Sequence, residues 1–211
     1  MRPLYGDRVE AGQVLARDLA HLGSEDVVVL GLPRGGVPVA RQVADALGAP
    51  LDVILVRKLG VPGQPEVAMG AIGEGDVRVL EPRTIATAGV SEEVLGAVER
   101  RERQELERRA TLYREGRPAH ELQGRTVVIV DDGIATGSTV RAAARVARAL
   151  GAVRVVVATP VAPADIVDRL GPDVDEVVAS AMPDPFWAIG AFYRDFRQTR
   201  DDEVIRLLGE R

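Results

Sequence analysis

Short runs of Val, Ile and Leu that are apolar at every position, not at alternate ones, constrain this chain most. They are DVVVLGL from Asp26, LDVILV from Leu51 and TVVIVDD from Thr126, followed by VRVVVATPV from Val153 and DEVVAS from Asp175. A strand apolar on both faces has to be covered on both faces, as the central strands of a parallel sheet are. Helical patterns lie between these runs, over 37–47, 138–150 and 163–170, with Gly151 and Gly171 as stop signals after the last two. Strand and helix in alternation predict right-handed crossovers and an α/β fold, an open parallel sheet of about five strands with helices on both faces. Ligands of such sheets sit beyond the carboxyl ends of the strands. The segments LPRGG, VRKLG and DDGIATGST are therefore expected on one rim.

A length of 211 residues suits a single domain, 1–211, carrying insertions. The absence of cysteine excludes disulfides, thiolate chemistry and the usual structural zinc sites, and His21 and His120 stand in no ligand-spaced pattern. A net charge of -5 argues against a nucleic-acid partner, because phosphate-backbone binding needs clustered excess cations. With no signal-peptide pattern at the start and no long uninterrupted apolar span, the expected location is cytoplasmic, with no membrane partner. The cations are also uneven: 26 arginines and one lysine, Lys58.

The stretch 59–120 breaks the strand–helix rhythm. AMGAIGEGDVRVL reads as a hairpin about a turn at Gly73 to Gly75, and Ser91 followed by Glu92 and Glu93 reads as the N-cap of a long charged helix. This insertion is the expected lid. Along the helix, Val94, Val98, Leu106, Ala110 and Tyr113 recur at roughly helical spacing among charges, a pattern that reads first as a solvated helix and second as a homodimer contact. The end of the chain, 181–211, holds the only tryptophan and all three phenylalanines, and is the expected hood over a pocket.

Chemistry concentrates in VVIVDDGIATGSTV, residues 127–140. A buried strand delivers Asp131 and Asp132 to its exposed end, and a loop of glycine and hydroxyl residues then opens a helix. Backbone N–H groups of such a loop, with the helix dipole behind them, cradle phosphate. The loop lacks the lysine of a Walker A motif, and GLPRGG lacks the spacing of a dinucleotide fingerprint. Two carboxylates beside a phosphate cradle suit a sugar phosphate, the carboxylates accepting from vicinal hydroxyls.

At VIVDDGIATGST the chain resembles the type I phosphoribosyltransferases, whose signature is an apolar strand, two acidic residues and a small T-G-[GST]-T loop. The resemblance spans roughly Asp26 to Ser180. It implies that Asp131 and Asp132 bind the ribose hydroxyls of phosphoribosyl pyrophosphate (PRPP) and that Ala135, Thr136, Gly137, Ser138 and Thr139 bind its 5-phosphate. LPRGG is similar to the family's pyrophosphate loop, which implies pyrophosphate binding by Arg34, Gly35 and Gly36 and a cis bond between Pro33 and Arg34. VRK at 56–58 is similar to a segment of the adenine and orotate branches and adds Arg57 and Lys58.

The implied reaction displaces pyrophosphate from the ribose C1 by a ring nitrogen of a base. Arg34, Lys58, Asp131 and Asp132 form the catalytic set, and the implied cofactor is Mg²⁺, held by PRPP, water and either or both of Asp131 and Asp132. Hypoxanthine-guanine enzymes carry an aspartate where this chain has Ala135, which disfavours a 6-oxopurine. Phe186 and Trp187 are the candidates for stacking on the base. The rival readings are a non-catalytic PRPP-binding regulatory protein and, more weakly, a sugar-phosphate hydrolase with Asp131 as nucleophile.

Overall fold

The computed structural model describes residues 3–209 and, within them, every side chain but that of Glu66. Five strands pair in parallel in the order β2-β1-β6-β7-β8: β1 is Val27–Gly31, β2 Leu51–Val53, β6 Thr126–Val130, β7 Arg154–Val161 and β8 Glu176–Ala181. β1 and β6 are buried at every position, as continuous apolar runs require. Helices α1 (Arg8–Asp18) and α2 (Gly36–Leu47) cover one face, where Leu15, Leu19, Val39 and Val43 meet Val29 and Val128. Helices α5 (Ser138–Ala149) and α6 (Ile166–Leu170) cover the other, where Val140, Ala143 and Ile166 meet Val28 and Ile129.

From β1 the chain crosses outward through α2 to β2, whereas from β6 it crosses the opposite way through α5 to β7. The winding reverses between β1 and β6, and α2 and α5 leave those strands on opposite faces. A crevice opens at such a switch point, and it is where open sheets hold their ligands.

A second, antiparallel sheet is built from β3 (Val56–Val61), β4 (Gln64–Gly73) and β5 (Arg78–Leu80). VRKLG is therefore a strand, not a loop following β2, and the insertion begins at Val56, not Leu59. The hairpin expected around Gly73 to Gly75 is present as β4–β5, with Gly75 at φ +67°. A further hairpin, β3–β4, turns at Pro62 and Gly63.

After β5 come α3 (Pro82–Thr87) and α4 (Glu92–Arg114), whose N-cap Ser91 accepts a hydrogen bond from the Val94 N–H. The helix is not uniformly solvated. Leu95, Leu106 and Tyr113 are buried with Leu59, Met69 and Ile72 and with Val204 of α7 (Asp201–Gly209), while Val94 faces solvent. Helix α2 starts at Gly36 and α6 at Ile166, where Val37 and Pro163 were expected. The C-terminal segment packs on the start of the chain: the N–H groups of Leu4 and Tyr5 both donate to the Phe192 carbonyl, and Tyr5, Ala11, Phe192 and Tyr193 share a core.

The join between the two sheets holds a buried charge cluster. Arg114, at the end of α4, donates to both oxygens of Asp52 at 2.5 and 2.6 Å, to both oxygens of Glu74 at 2.8 Å and to the Val53 carbonyl at 3.1 Å. Its charge is matched twice over and its donors are used. Removing one partner of a buried ionic cluster leaves uncompensated charge in low dielectric. Arg114→Met is expected to cost about 3–5 kcal/mol, read as a lower urea midpoint at unchanged slope.

Candidate functional site

The site is assembled where β1 and β6 end side by side, in register from Val27↔Thr126 to Gly31↔Val130. The pairing runs one step further, since the Leu32 N–H donates to the Val130 carbonyl at 2.9 Å. The loop Leu32–Gly36 is thereby laid against Asp131 and Asp132, and its closeness demands glycine. A Cβ on Gly36 would stand 2.5 Å from the Val130 carbonyl oxygen and 3.0 Å from the Asp131 Cα, and one on Gly35 would overlap the Asp132 carboxylate. The Pro33–Arg34 peptide bond is cis, as the resemblance implies.

The two carboxylates have different surroundings. Asp132 is buried; its Oδ2 accepts from Arg8 Nε at 2.7 Å, and its backbone carbonyl accepts from the Tyr193 hydroxyl at 2.5 Å. Arg8 is itself held by the Arg197 carbonyl at 2.7 Å and by the Phe196 ring, 4.0 Å below its guanidinium. Asp131 has an Oδ1 hydrogen bond from the Asp132 N–H at 2.9 Å. Loss of solvent first, and the neighbouring Asp132 charge second, push the Asp131 carboxyl well above the usual carboxylate range. Burial, with the Asp132 charge added, likewise raises the Tyr193 phenol and keeps it a donor.

Beyond the acidic pair, Ala135, Thr136 and Thr139 are exposed while Gly137 is buried at φ +79°, a left-handed position natural to glycine. Gly137 is also the N-cap residue of α5, so the loop leads straight into a helix N-terminus. Pro33, Lys58 and Thr139 line one cavity of about 580 Å³, bounded on its far side by α4. Lys58 also lines an adjoining cavity of about 280 Å³ with Ser138 and Arg141.

The remaining expected residues fall as follows. Arg57 lines the larger cavity with its guanidinium on Glu102, at 2.6 and 2.8 Å. Arg34 lies 3.8 Å from Asp201 of α7. Phe186 packs on Phe192, ring centroids 5.4 Å apart, so it anchors the hood, whereas Trp187 is 77% exposed. Among the described residues no group of three acidic or histidine side chains is arranged to hold a metal. For a cation such as Mg²⁺, which keeps waters and ligand phosphates, the fit is to Asp131, because one Asp132 oxygen is committed to Arg8. Arg8, Tyr193 and Glu102 carry no sequence signal, since each acts on a residue 45 or more positions away.

A family model described as the phosphoribosyl transferase domain matches residues 10–195. A Mycobacterium tuberculosis H37Rv protein, provisionally named a phosphoribosyl transferase, is 56% identical over 205 residues, 97% of this chain. This chain spans 46% of that relative's length. The crystal structure of a Thermus thermophilus protein is similar at TM-score 0.90 and 48% identity, covering 99% of this chain and 98% of the other. A Neisseria gonorrhoeae protein with bound ppGpp shares the fold at TM-score 0.53 and 16% identity, over 98% and 95% of the two chains.

An acid whose pKa is raised on folding holds its proton more tightly in the native state. Its presence therefore costs stability once pH rises above the unfolded value of about 4, and costs nothing below it. Asp131→Asn is expected to raise the melting temperature at pH 7, with the gain shrinking toward zero near pH 3. Scans at both values check this, and a gain as large at pH 3 as at pH 7 would contradict it.

Proposed function

Because this chain belongs to the phosphoribosyltransferase family, we propose that it transfers the phosphoribosyl group of PRPP to a ring nitrogen of a base, releasing pyrophosphate. The observation that carries this reading is the convergence at the β1/β6 switch point. The glycine loop at 32–36, the acidic pair and the small-residue loop at 135–139 meet there, with Lys58 on the wall of the adjoining cavity. The loop at Ala135 to Thr139 takes the 5-phosphate on backbone N–H groups at the start of α5. Asp131 takes the ribose hydroxyls. Asp132, held by Arg8 and Tyr193, fixes the floor of the sugar site.

As the C1–oxygen bond breaks, positive charge grows on the sugar beside Asp131, and negative charge grows on the leaving diphosphate beside Arg34 and Lys58. Groups set in advance toward developing charge lower the barrier most. Asp131 is the carboxylate that would hold a Mg²⁺ ion bound with the donor, and such an ion would add charge neutralisation on the diphosphate. The hairpin β3–β4 and α4 exclude water from the diphosphate side, which suppresses hydrolysis. Ala135, in place of the aspartate found in hypoxanthine-guanine enzymes, speaks against a 6-oxopurine acceptor. Trp187 is the exposed ring available to stack on a base.

Incubation with PRPP, Mg²⁺ and a panel of bases should release pyrophosphate only with the matching base. Binding of PRPP without release for any base would make the chain a regulatory PRPP binder, and release without a base would make it a hydrolase. Lys58→Met is expected to lower kcat more than it raises KM for PRPP, because its ammonium serves charge that appears as the bond breaks. Equal effects on both would remove Lys58 from the leaving-group role.

A further inference from the structure

Behind one wall of the 580 Å³ cavity lies a second cavity, of about 360 Å³. Its body is apolar: Leu30, Ile54, Leu55, Leu122 and Val146 line it, all buried, together with the half-buried Leu150. One side is the Asp52–Arg114–Glu74 cluster, and His120, Glu121 and Gln123 stand exposed at the mouth. Pockets for small organic molecules start at about 300 Å³ and combine apolar walls with a few polar groups that fix orientation. This cavity has both properties, and the candidate site makes no use of it.

Its polar end is one-sided. Arg114 spends its guanidinium on Asp52, Glu74 and the Val53 carbonyl. Arg117, one turn on, donates to the carbonyls of Arg114 and Leu208 instead of to either acid. Within the cluster two carboxylates face one guanidinium, which leaves one negative charge. Among the described residues each Glu74 oxygen accepts a single hydrogen bond, from Arg114, and a carboxylate oxygen has room for two. A guest therefore meets acceptors and surplus negative charge beside apolar walls. The complement of that surface is an apolar body carrying an ammonium.

The two cavities have a wall in common. Ile54 and Leu55 line both, and the chain runs from them directly into Val56, Arg57 and Lys58. The Ile54 N–H is tied to the Gly31 carbonyl at 3.2 Å, at the end of β1. Helix α5 also borders both, through Thr139 and Ala142 on one side and Val146 and Leu150 on the other. A guest in the second cavity presses on the two residues that lead into β3 and its cations.

We propose that the second cavity is an effector site for a small apolar amine, whose body fills the space under α5 and whose ammonium meets Glu74, and that its occupancy changes the affinity for the donor through Ile54 and Leu55. Binding of the amine is independent of the transferase reading. Only the identity of the donor rests on it.

The probe is tryptamine, titrated calorimetrically into the full chain and compared with indole-3-propionate, which has the same ring and tether but the opposite charge. Tryptamine is expected to bind about tenfold tighter or more. Glu74→Gln should weaken tryptamine about tenfold and leave neutral indole within about twofold, a split that loss of a merely structural carboxylate would not give. Leu150→Trp fills the cavity from a half-buried position and should abolish binding of all three compounds while keeping the wild-type circular dichroism. By linkage, tryptamine and PRPP with Mg²⁺ should change each other's affinity by one common factor, about fivefold or more. Absent tryptamine binding, equal affinity for the propionate, unchanged tryptamine affinity in Leu150→Trp, or a PRPP affinity unmoved by saturating tryptamine would each overturn the proposal. Failure to bind PRPP at all would end the transferase reading while leaving the amine site to stand.

Discussion

Everything at the candidate site depends on how closely the loop after β1 lies against the end of β6. The parallel register carries β1 and β6 to their ends together, and the Leu32–Val130 hydrogen bond extends the contact into the loop. At that separation only glycine fits at 35 and 36, because a side chain at either position would run into the backbone of β6 or the Asp132 carboxylate. The crevice is therefore narrow at its floor and opens upward between α2 and α5, which leave the two strands on opposite faces. A phosphorylated sugar seated there meets both loops at once, a consequence of topology rather than of any one side chain.

The parallel sheet was legible because its strands are buried on both faces, and burial of that kind selects Val and Ile at every position. The loops on the rim were legible because their chemistry is local: an acidic pair, a glycine pair and a run of small hydroxyl residues each make sense within a few positions. VRKLG was not legible as a strand. β3 places Arg57 and Lys58 in its middle with only Leu59 and Val61 fully buried, so its composition resembles a rim loop more than a core strand. Its evidence lay in the Pro62–Gly63 turn, which marks a hairpin as clearly as Gly73 to Gly75 does for the next one.

The inner stripe of α4 was legible only in part, for a related reason: Val98, Leu106, Ala110 and Tyr113 do pack into the core, while Val94 is exposed. The buried positions are Leu95, Glu102, Leu106, Tyr113 and Arg114, and a search for apolar residues alone passes over Glu102 and Arg114 and admits Val94. A glutamate belongs in a buried stripe only when cations from elsewhere meet it, and Arg57, 45 positions away, is supplied by another sheet. Arg8 escapes sequence reading in the same way: α1 is weakly patterned, and the meaning of Arg8 lies in a carboxylate 124 residues on. Arginine abundance hides such cases. Most of the ion pairs among the described residues use an arginine, so the one that matters to a site has no distinguishing mark in composition.

The site that results is polarised. At one end two carboxylates lie side by side, Asp132 buried and matched by Arg8, Asp131 half-buried and held above the usual range by loss of solvent and then by its neighbour's charge. At the other, Arg57 and Lys58 line a cavity walled by α4. Such separation of charge is costly to a folded protein that binds nothing, since like charges crowd at both ends. For a donor that splits into a cationic sugar and an anionic diphosphate, each end becomes complementary as the bond lengthens, and more so in the transition state than before it. The fold holds the two ends apart by setting them on different sheets: the acids on the parallel sheet, Arg57 and Lys58 on the antiparallel one. The buried Asp52–Arg114–Glu74 cluster ties the second sheet to the first, and so sets the distance over which that polarity acts.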